Sequence, residues 1–102
     1  MTDLNGKAAI VTGAGRGLGR AMARGLAEAG AQVALVELDK DVLNEAVAEI
    51  GGDCVGIAAD VSKPVEGLRI VEETRKVFGG IHILVNNAGP VSYTHLTLPT
   101  KA

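Results

Sequence analysis

The chain has 102 residues, of which 47% are hydrophobic and 22% charged, which is enough for one small globular domain. A net charge of −2 with scattered basic residues gives no electrostatic reason to expect nucleic acid or an anionic membrane as a partner. No apolar run approaches the roughly 20 residues of a membrane span, and residues 1–7 lack the layout of a signal peptide. We therefore expect a cytoplasmic protein, with its single cysteine, Cys54, packed as a small core residue rather than acting as a nucleophile.

Strand and helix patterns alternate from the start of the chain. Residues 7–12 form an apolar run that predicts a buried strand. Leu18, Met22 and Leu26 then recur every four residues beside small side chains, which predicts a closely packed helix. Residues 32–37 predict the second strand.

The second half of the pattern repeats the first. Asp39 is placed to cap a helix that carries an apolar face and stops at a pair of glycines, and residues 54–59 predict a third strand. Ser62 and Pro64 begin a third helix, and residues 81–85 predict a fourth strand. The apolar side chains expected to face inward from the third helix are Val65, Leu68, Val71 and Phe78.

The order β-α-β-α-β-α-β predicts an α/β protein with a parallel sheet between helices. We expect a Rossmann-type, doubly wound sheet with the strand order 3-2-1-4, truncated after the fourth strand. This strand order rests on the glycine motif described next, because periodicity alone leaves other three-layer arrangements open.

Residues 12–19, Thr-Gly-Ala-Gly-Arg-Gly-Leu-Gly, follow the first strand and open the first helix. Glycines let backbone N–H groups approach an anion, and a helix N-terminus adds about half a positive charge. The motif therefore predicts a phosphate cradle. Its spacing is one residue longer in the first gap than the common dinucleotide fingerprint, and a flexible strand-to-helix turn is the alternative interpretation.

Two charged residues near this turn favour different dinucleotides. Glu37 ends the second strand, where a carboxylate accepts hydrogen bonds from a ribose diol and repels a 2′-phosphate, which favours NAD. Arg16 lies in the turn, where a guanidinium could pair with that phosphate, which favours NADP. We favour NAD because a carboxylate facing the ribose outweighs a mobile arginine.

Polar residues also follow the third and fourth strands. Asp60-Val61 either meets adenine or forms a turn and caps a helix. The run 86–89, Asn-Asn-Ala-Gly, either reaches the cofactor or forms a plain turn. Of the histidines, His82 is interpreted as structural, and His95 has no identifiable partner for catalysis.

These four motifs, in this order, resemble the short-chain dehydrogenase/reductase family, and the similarity covers residues 4–89. Among its members the chain is similar to 3-oxoacyl-[acyl-carrier-protein] reductases and to related sugar or alcohol dehydrogenases, which this half of the fold does not separate. In that family the glycine turn holds the pyrophosphate, the acid after the second strand selects NAD, the Asp-Val pair meets adenine, and the second Asn lies near the ribose. The residues assigned to the cofactor in this way are Thr12, Gly13, Arg16, Gly17, Leu18, Gly19, Glu37, Asp60, Val61, Asn87, Ala88 and Gly89.

The resemblance implies an NAD(P)-dependent oxidoreductase that moves a hydride between nicotinamide and a carbonyl or alcohol. The family's catalytic residues are a Ser and a later Tyr-x-x-x-Lys, whereas Tyr93 here is followed by Thr97 at the fourth position. We therefore assign no catalytic residue and no metal, and we expect this chain to be an inactive N-terminal fragment of a homo-oligomeric enzyme. A dinucleotide-binding module without catalysis is the alternative.

The end of the chain departs from the family pattern. Residues 91–100 read as a translation of a transposase adapter used in sequencing libraries. We therefore expect residues 1–90 to form an incomplete NAD(P)-binding Rossmann domain, and residues 91–102 to be a non-native or disordered tail.

Overall fold

A computed structural model describes residues 3–87. Within this range strands and helices alternate, and their bounds are Ala8–Thr12 (β1), Gly17–Glu28 (α1), Gln32–Glu37 (β2), Lys40–Ile50 (α2), Val55–Ala58 (β3), Pro64–Phe78 (α3) and Ile83–Val85 (β4). β1 begins one residue later than predicted, β3 loses one residue at each end, and β4 begins at residue 83 rather than 81. Ala88, Gly89 and the predicted tail 91–102 lie outside the described residues.

In the described residues, the strands form a parallel sheet in the order β3-β2-β1-β4, which confirms the predicted doubly wound arrangement. β1 lies between β2 and β4, with Ile10 opposite both Ala34 and Leu84. All five residues of β1 are buried, as expected for a strand covered on both faces.

Alternate residues of the central strands point into two separate cores. Val11, Val33 and Leu35 pack with α1 and α2 on one face of the sheet. Ile10 and Val36 pack with α3 on the other face. This strict alternation is the consequence of the twofold side-chain period of a strand.

The third helix is turned differently from the prediction. Its buried residues are Gly67, Ile70 and Thr74, whereas Val65 and Leu68 are 71% and 70% exposed. Small side chains on either side of Ile70 let the helix backbone approach the sheet. The hydroxyl of Thr74 satisfies its own burial by donating to the Ile70 carbonyl at 2.8 Å. The predicted inward orientation of Val65 and Leu68 is wrong.

The first helix also approaches the sheet through small residues. Gly19 and Ala23 are its buried residues, while Leu18 is 67% exposed. The prediction of close packing is confirmed, and Leu18 is not part of the contact.

Two predictions about single residues are confirmed. Cys54 is half-buried and packs at the margin of the core between the sheet and α2, where burial raises the pKa of its thiol. His82 is structural: its backbone N–H donates to the Ala8 carbonyl at 2.8 Å, and its Nδ1 accepts from the Ala8 N–H at 3.0 Å.

Candidate functional site

The predicted site residues that the structure describes converge on one edge of the sheet. Because all the strands are parallel, the loops that follow β1, β2, β3 and β4 leave the sheet at the same edge. The strand order reverses between β1 and β4, and the glycine turn begins at this reversal point. Such a point opens a crevice in which doubly wound folds bind their ligands.

The glycines of the turn are required by its geometry. Gly13 and Gly17 have φ values of 62° and 53°, a region that disfavours side chains. At Gly19 the limit is space, because a Cβ there would lie 2.6 Å from Asn87 Nδ2 and 2.9 Å from the Gly13 carbonyl carbon, with the Gly13 oxygen nearer still. The turn, the start of α1 and the end of β4 are therefore in close contact.

The N-terminus of α1 is suited to an anion. Arg16 occupies the N-cap position with no side-chain cap, and the first turn of the helix holds no acid. By contrast, the Asp39 carboxylate caps α2 by accepting from the N–H groups of Asp41 and Val42 at 2.9 and 3.2 Å, as predicted. The uncapped N-terminus and the dipole of α1 favour a negatively charged group at its start.

The Glu37 carboxylate lies directly against the glycine turn. Its Oε1 accepts from the Gly15 N–H at 3.2 Å, and its Oε2 accepts from the Asp39 N–H at 3.1 Å. A Cβ at Gly15 would lie 2.5 Å from Oε1, so glycine is needed for this contact. A carboxylate offers about four lone-pair directions, so these two bonds leave capacity for hydroxyl donors of a ligand.

The two arginines near the turn have different partners. Arg16 pairs with Asp39 at 3.5 Å and its side chain is 69% exposed. Arg20 is 20% exposed, is held by Glu45 and Glu49 of α2, and donates to the Gly15 carbonyl at 3.4 Å. Arg20 thus links α2 to the turn.

Thr12 connects the turn to the end of β4. Its buried hydroxyl donates to the Val85 carbonyl at 3.4 Å and accepts from the Asn87 N–H at 2.9 Å. Thr12 therefore holds together the two sides of the crevice at the point where the strand order reverses.

Asp60 follows β3 at the same edge. Its Oδ1 accepts from the Ser62 N–H at 3.0 Å and from the Ser62 hydroxyl at 2.6 Å. These bonds, above all that from the hydroxyl, lower the pKa of Asp60, so the group is ionised at neutral pH. Asp60 therefore shapes the turn that leads to α3. Val61 is half-buried beside it, at the margin of the core under α3.

Sequence reasoning missed three contacts at this edge: that of Arg20 with the turn, that of Asp39 with Arg16, and that of Glu66 with the Asp60 N–H at 3.4 Å. Each of these joins elements whose relative placement has no local sequence signal. The residues that the structure describes contain no group of three or more histidine, cysteine, aspartate or glutamate side chains placed to hold a metal ion. They also contain no helix long and apolar enough to cross a membrane.

The four-stranded parallel sheet with its flanking helices is a Rossmann-like fold. The family model described as short chain dehydrogenase matches residues 7–100, and the chain belongs to that family. A short-chain dehydrogenase/reductase of Pestalotiopsis microspora is 44% identical over 102 residues, which cover 96% of this chain and 38% of that protein.

Two solved structures share the fold and sequence similarity. L-sorbose reductase from Gluconobacter frateurii, complexed with NADPH and L-sorbose, superposes with a TM-score of 0.82 and 40% identity, covering 86% of this chain and 35% of that one. The 3-ketoacyl-(acyl-carrier-protein) reductase of Brucella melitensis, complexed with NADH, has a TM-score of 0.77 and 40% identity, covering 80% of this chain and 34% of that one. The chain thus spans between about a third and two-fifths of the length of the relatives that it matches.

Proposed function

We propose that this chain forms the cofactor-binding part of an NAD(P)-dependent oxidoreductase, with NAD as the preferred cofactor. The proposal rests on one observation. The glycine turn, the uncapped start of α1 and the Glu37 carboxylate lie together at one edge of the sheet, next to the point where the strand order reverses. A bound nicotinamide would supply or accept the hydride, and this chain's residues would bind and orient the dinucleotide.

Different groups of residues would contact different parts of the dinucleotide. The turn from Gly13 to Gly19 would hold the pyrophosphate, because its four glycines carry no side chain between the ligand and their backbone N–H groups. Glu37 would accept from the adenosine ribose, and Asp60-Val61 would meet the adenine. Asn87, which is bonded to Thr12 and lies beside Gly19, would lie near the ribose, the role that the family resemblance implies. Ala88 and Gly89, outside the described residues, stay predicted members of the site.

The charges at the end of β2 support NAD over NADP. A 2′-phosphate would lie close to the Glu37 carboxylate, which is fixed by two backbone N–H groups. The guanidinium that could offset this repulsion, that of Arg16, is shared with Asp39. The relatives do not decide the question, since one of the two structures named above holds NADPH and the other NADH.

The experiment that tests the cofactor proposal is calorimetric titration of the chain with NAD and NADP. We expect NAD to bind more tightly, and Glu37→Gln to improve NADP relative to NAD at least tenfold, since it removes the charge and keeps an acceptor oxygen. Asp39→Asn is the companion variant at the neighbouring acid. Asparagine also caps helices, so the cap of α2 is kept, while the loss of the charge releases Arg16 to pair with the 2′-phosphate. No binding of either dinucleotide would refute the proposal, and an unchanged ratio in Glu37→Gln would refute the preference for NAD.

For the full-length protein we propose hydride transfer to a small carbonyl compound or from the matching alcohol, in a homo-oligomer of the cytoplasm. The support is the family and the activities of relatives, which include a sugar reductase and a 3-ketoacyl reductase. We propose that the 102-residue chain itself binds cofactor without turnover, because its single tyrosine, Tyr93, has threonine and not lysine four positions later. Absorbance at 340 nm, which follows the reduced nicotinamide, tests both statements when a panel of sugars and ketones is offered to the full-length protein and, separately, to the 102-residue chain.

A further inference from the structure

Two charged side chains of α3 hold the loop that follows β3. Glu66 Oε1 accepts from the Asp60 N–H at 3.4 Å. Arg69 Nη2 donates to the carbonyl of Ala58, the last residue of β3, at 2.7 Å. The backbone is thus held two residues before Asp60 and at Asp60 itself.

The side chains of Glu66 and Arg69 are also hydrogen-bonded to each other. Arg69 Nε and Nη2 donate to the two oxygens of Glu66 at 3.1 and 3.0 Å, in the planar two-bond geometry that gives a fixed relative orientation. This contact lowers the pKa of the Glu66 carboxyl, so Glu66 is an ionised acceptor at neutral pH. Glu66 is 25% exposed and Arg69 is 39% exposed, so both are partly shielded from water.

The side chain of Asp60 is fixed independently. Ser62 donates two hydrogen bonds to Oδ1, which sets the plane of the carboxylate and with it the direction of Oδ2. The Asp60 main chain is held by Glu66 and its side chain by Ser62. The result is a carboxylate with little freedom at the edge where the ligand loops meet.

We propose that Glu66 and Arg69 are positioning residues for base selection: through the loop after β3 they hold Asp60 in the orientation that accepts from the exocyclic amine of adenine. This inference rests on the proposed dinucleotide site, and it adds two residues that touch no part of the ligand. Their effect is to favour adenine over a base that carries a carbonyl oxygen in place of the amine.

The competing explanation is that the pair only stabilises α3, since Glu66 and Arg69 are three positions apart and Arg69 and Glu73 are four apart. Glu73 separates the two explanations. It binds Arg69 at 3.0 Å, as Glu66 does, whereas the bond that leaves α3 and reaches the Asp60 N–H is made by Glu66. Glu73→Ala is therefore the matched control for Glu66→Ala.

The test compares affinities of the chain for NAD and for nicotinamide hypoxanthine dinucleotide, which lacks the exocyclic amine. We expect the wild type to prefer NAD, and Glu66→Ala to lower that preference about three- to tenfold, as expected for one misaligned hydrogen bond. Glu73→Ala should leave the ratio within twofold, and Glu66→Gln, which keeps an acceptor oxygen, should restore most of it. A ratio that Glu66→Ala leaves unchanged overturns the inference, as does an equal fall in Glu73→Ala.

A second measurement needs no ligand. Amide hydrogen exchange by NMR should show faster exchange of the Asp60 N–H in Glu66→Ala than in Glu73→Ala, and unchanged Asp60 exchange in Glu66→Ala would overturn the positioning role. Failure of the proposed function has a different signature. If wild-type chain binds neither dinucleotide, the cofactor site itself is refuted, and base selection falls with it. If wild type discriminates and Glu66→Ala discriminates equally, the cofactor site stands and only this inference falls.

Discussion

Replacing Gly19 by alanine tests the central contact of the candidate site. Gly19 is buried at the start of α1, and the new methyl group would lie 2.6 Å from Asn87 Nδ2 and 2.9 Å from the Gly13 carbonyl carbon. The Gly13 carbonyl is part of the turn backbone and cannot rotate away as a side chain does. The helix must therefore move from the turn, or the turn must open.

The cost follows from a comparison within the same helix. Gly25 is exposed, and a Cβ there would have no neighbour within 4 Å. Both substitutions gain the helix propensity of alanine, about 1 kcal/mol, so the difference between them isolates the collision. Overpacking costs typically about 1–3 kcal/mol, and the rigid backbone contact puts Gly19→Ala toward the upper end. For a domain of this size, each 1 kcal/mol lowers the melting temperature by roughly 4–8 °C.

The assay is thermal unfolding together with NAD titration of the wild type and both variants. We expect Gly25→Ala to be at least as stable as the wild type, and to bind NAD within twofold. Gly19→Ala should melt about 10–20 °C below Gly25→Ala. It should bind NAD at least tenfold more weakly, because displacement of a positioning element by about 1 Å can cost up to two orders of magnitude. If the two variants melt together and bind equally, the close contact between Gly19, the turn and Asn87 is not the structural basis of the site.

Three further predictions concern the framework around the site. Ile70→Ala should destabilise the chain by about 2–5 kcal/mol, whereas Leu68→Ala should change stability by less than about 0.5 kcal/mol, because Ile70 is fully buried and Leu68 is 70% exposed. Urea unfolding measures both, and equal effects would contradict the observed orientation of α3. Asp39→Ala should cost about 1 kcal/mol through loss of the α2 cap, while Asp39→Asn should cost little, which circular dichroism during heating can check. The urea midpoint should fall as the pH drops below about 4.3. Arginine contacts lower the pKa of Glu49 and Glu66 in the folded chain, so their stabilisation is present above the unfolded value and lost as the pH falls through the folded one. A midpoint that rises on acidification would contradict these ion pairs.

The strands and the helix ends could be predicted because their signals are local. The apolar run of β1 and the Asp39 cap each depend on a few neighbouring residues, and both are found as expected. The doubly wound strand order followed from the glycine motif after β1 and not from the periodicity, and the structure confirms it.

The orientation of α3, by contrast, could not be predicted from a local sequence signal. Apolar residues lie on more than one side of this helix, so Val65 with Leu68 and Ile70 with Phe78 define rival faces. The choice is made by Gly67 and Thr74, which let the backbone come close to the sheet, and small residues carry little weight in a hydrophobic pattern. Packing distance, not the number of large apolar residues, decided which face is buried.

The candidate site shows the same limit. The residue types and their positions at strand ends were predictable from the sequence, but their bonds across elements were not. Glu37 reaching the Gly15 N–H spans 22 positions, and Thr12 reaching the end of β4 spans more than 70. Such pairs become visible only when the register of the parallel strands is known.

These bonds across elements have a common consequence for binding. Thr12 ties the end of β1 to the end of β4, Glu37 ties the end of β2 to the glycine turn, and Glu66 ties the loop after β3 to α3. Each loop of the crevice is therefore held by a side chain from a different element before any ligand arrives. A ligand that binds to loops already in place loses less affinity to ordering them, so the site can use its contacts for affinity and selection. Each of the three bonds joins a side chain to a backbone N–H, so each fixes the course of the main chain at the edge where the ligand would bind.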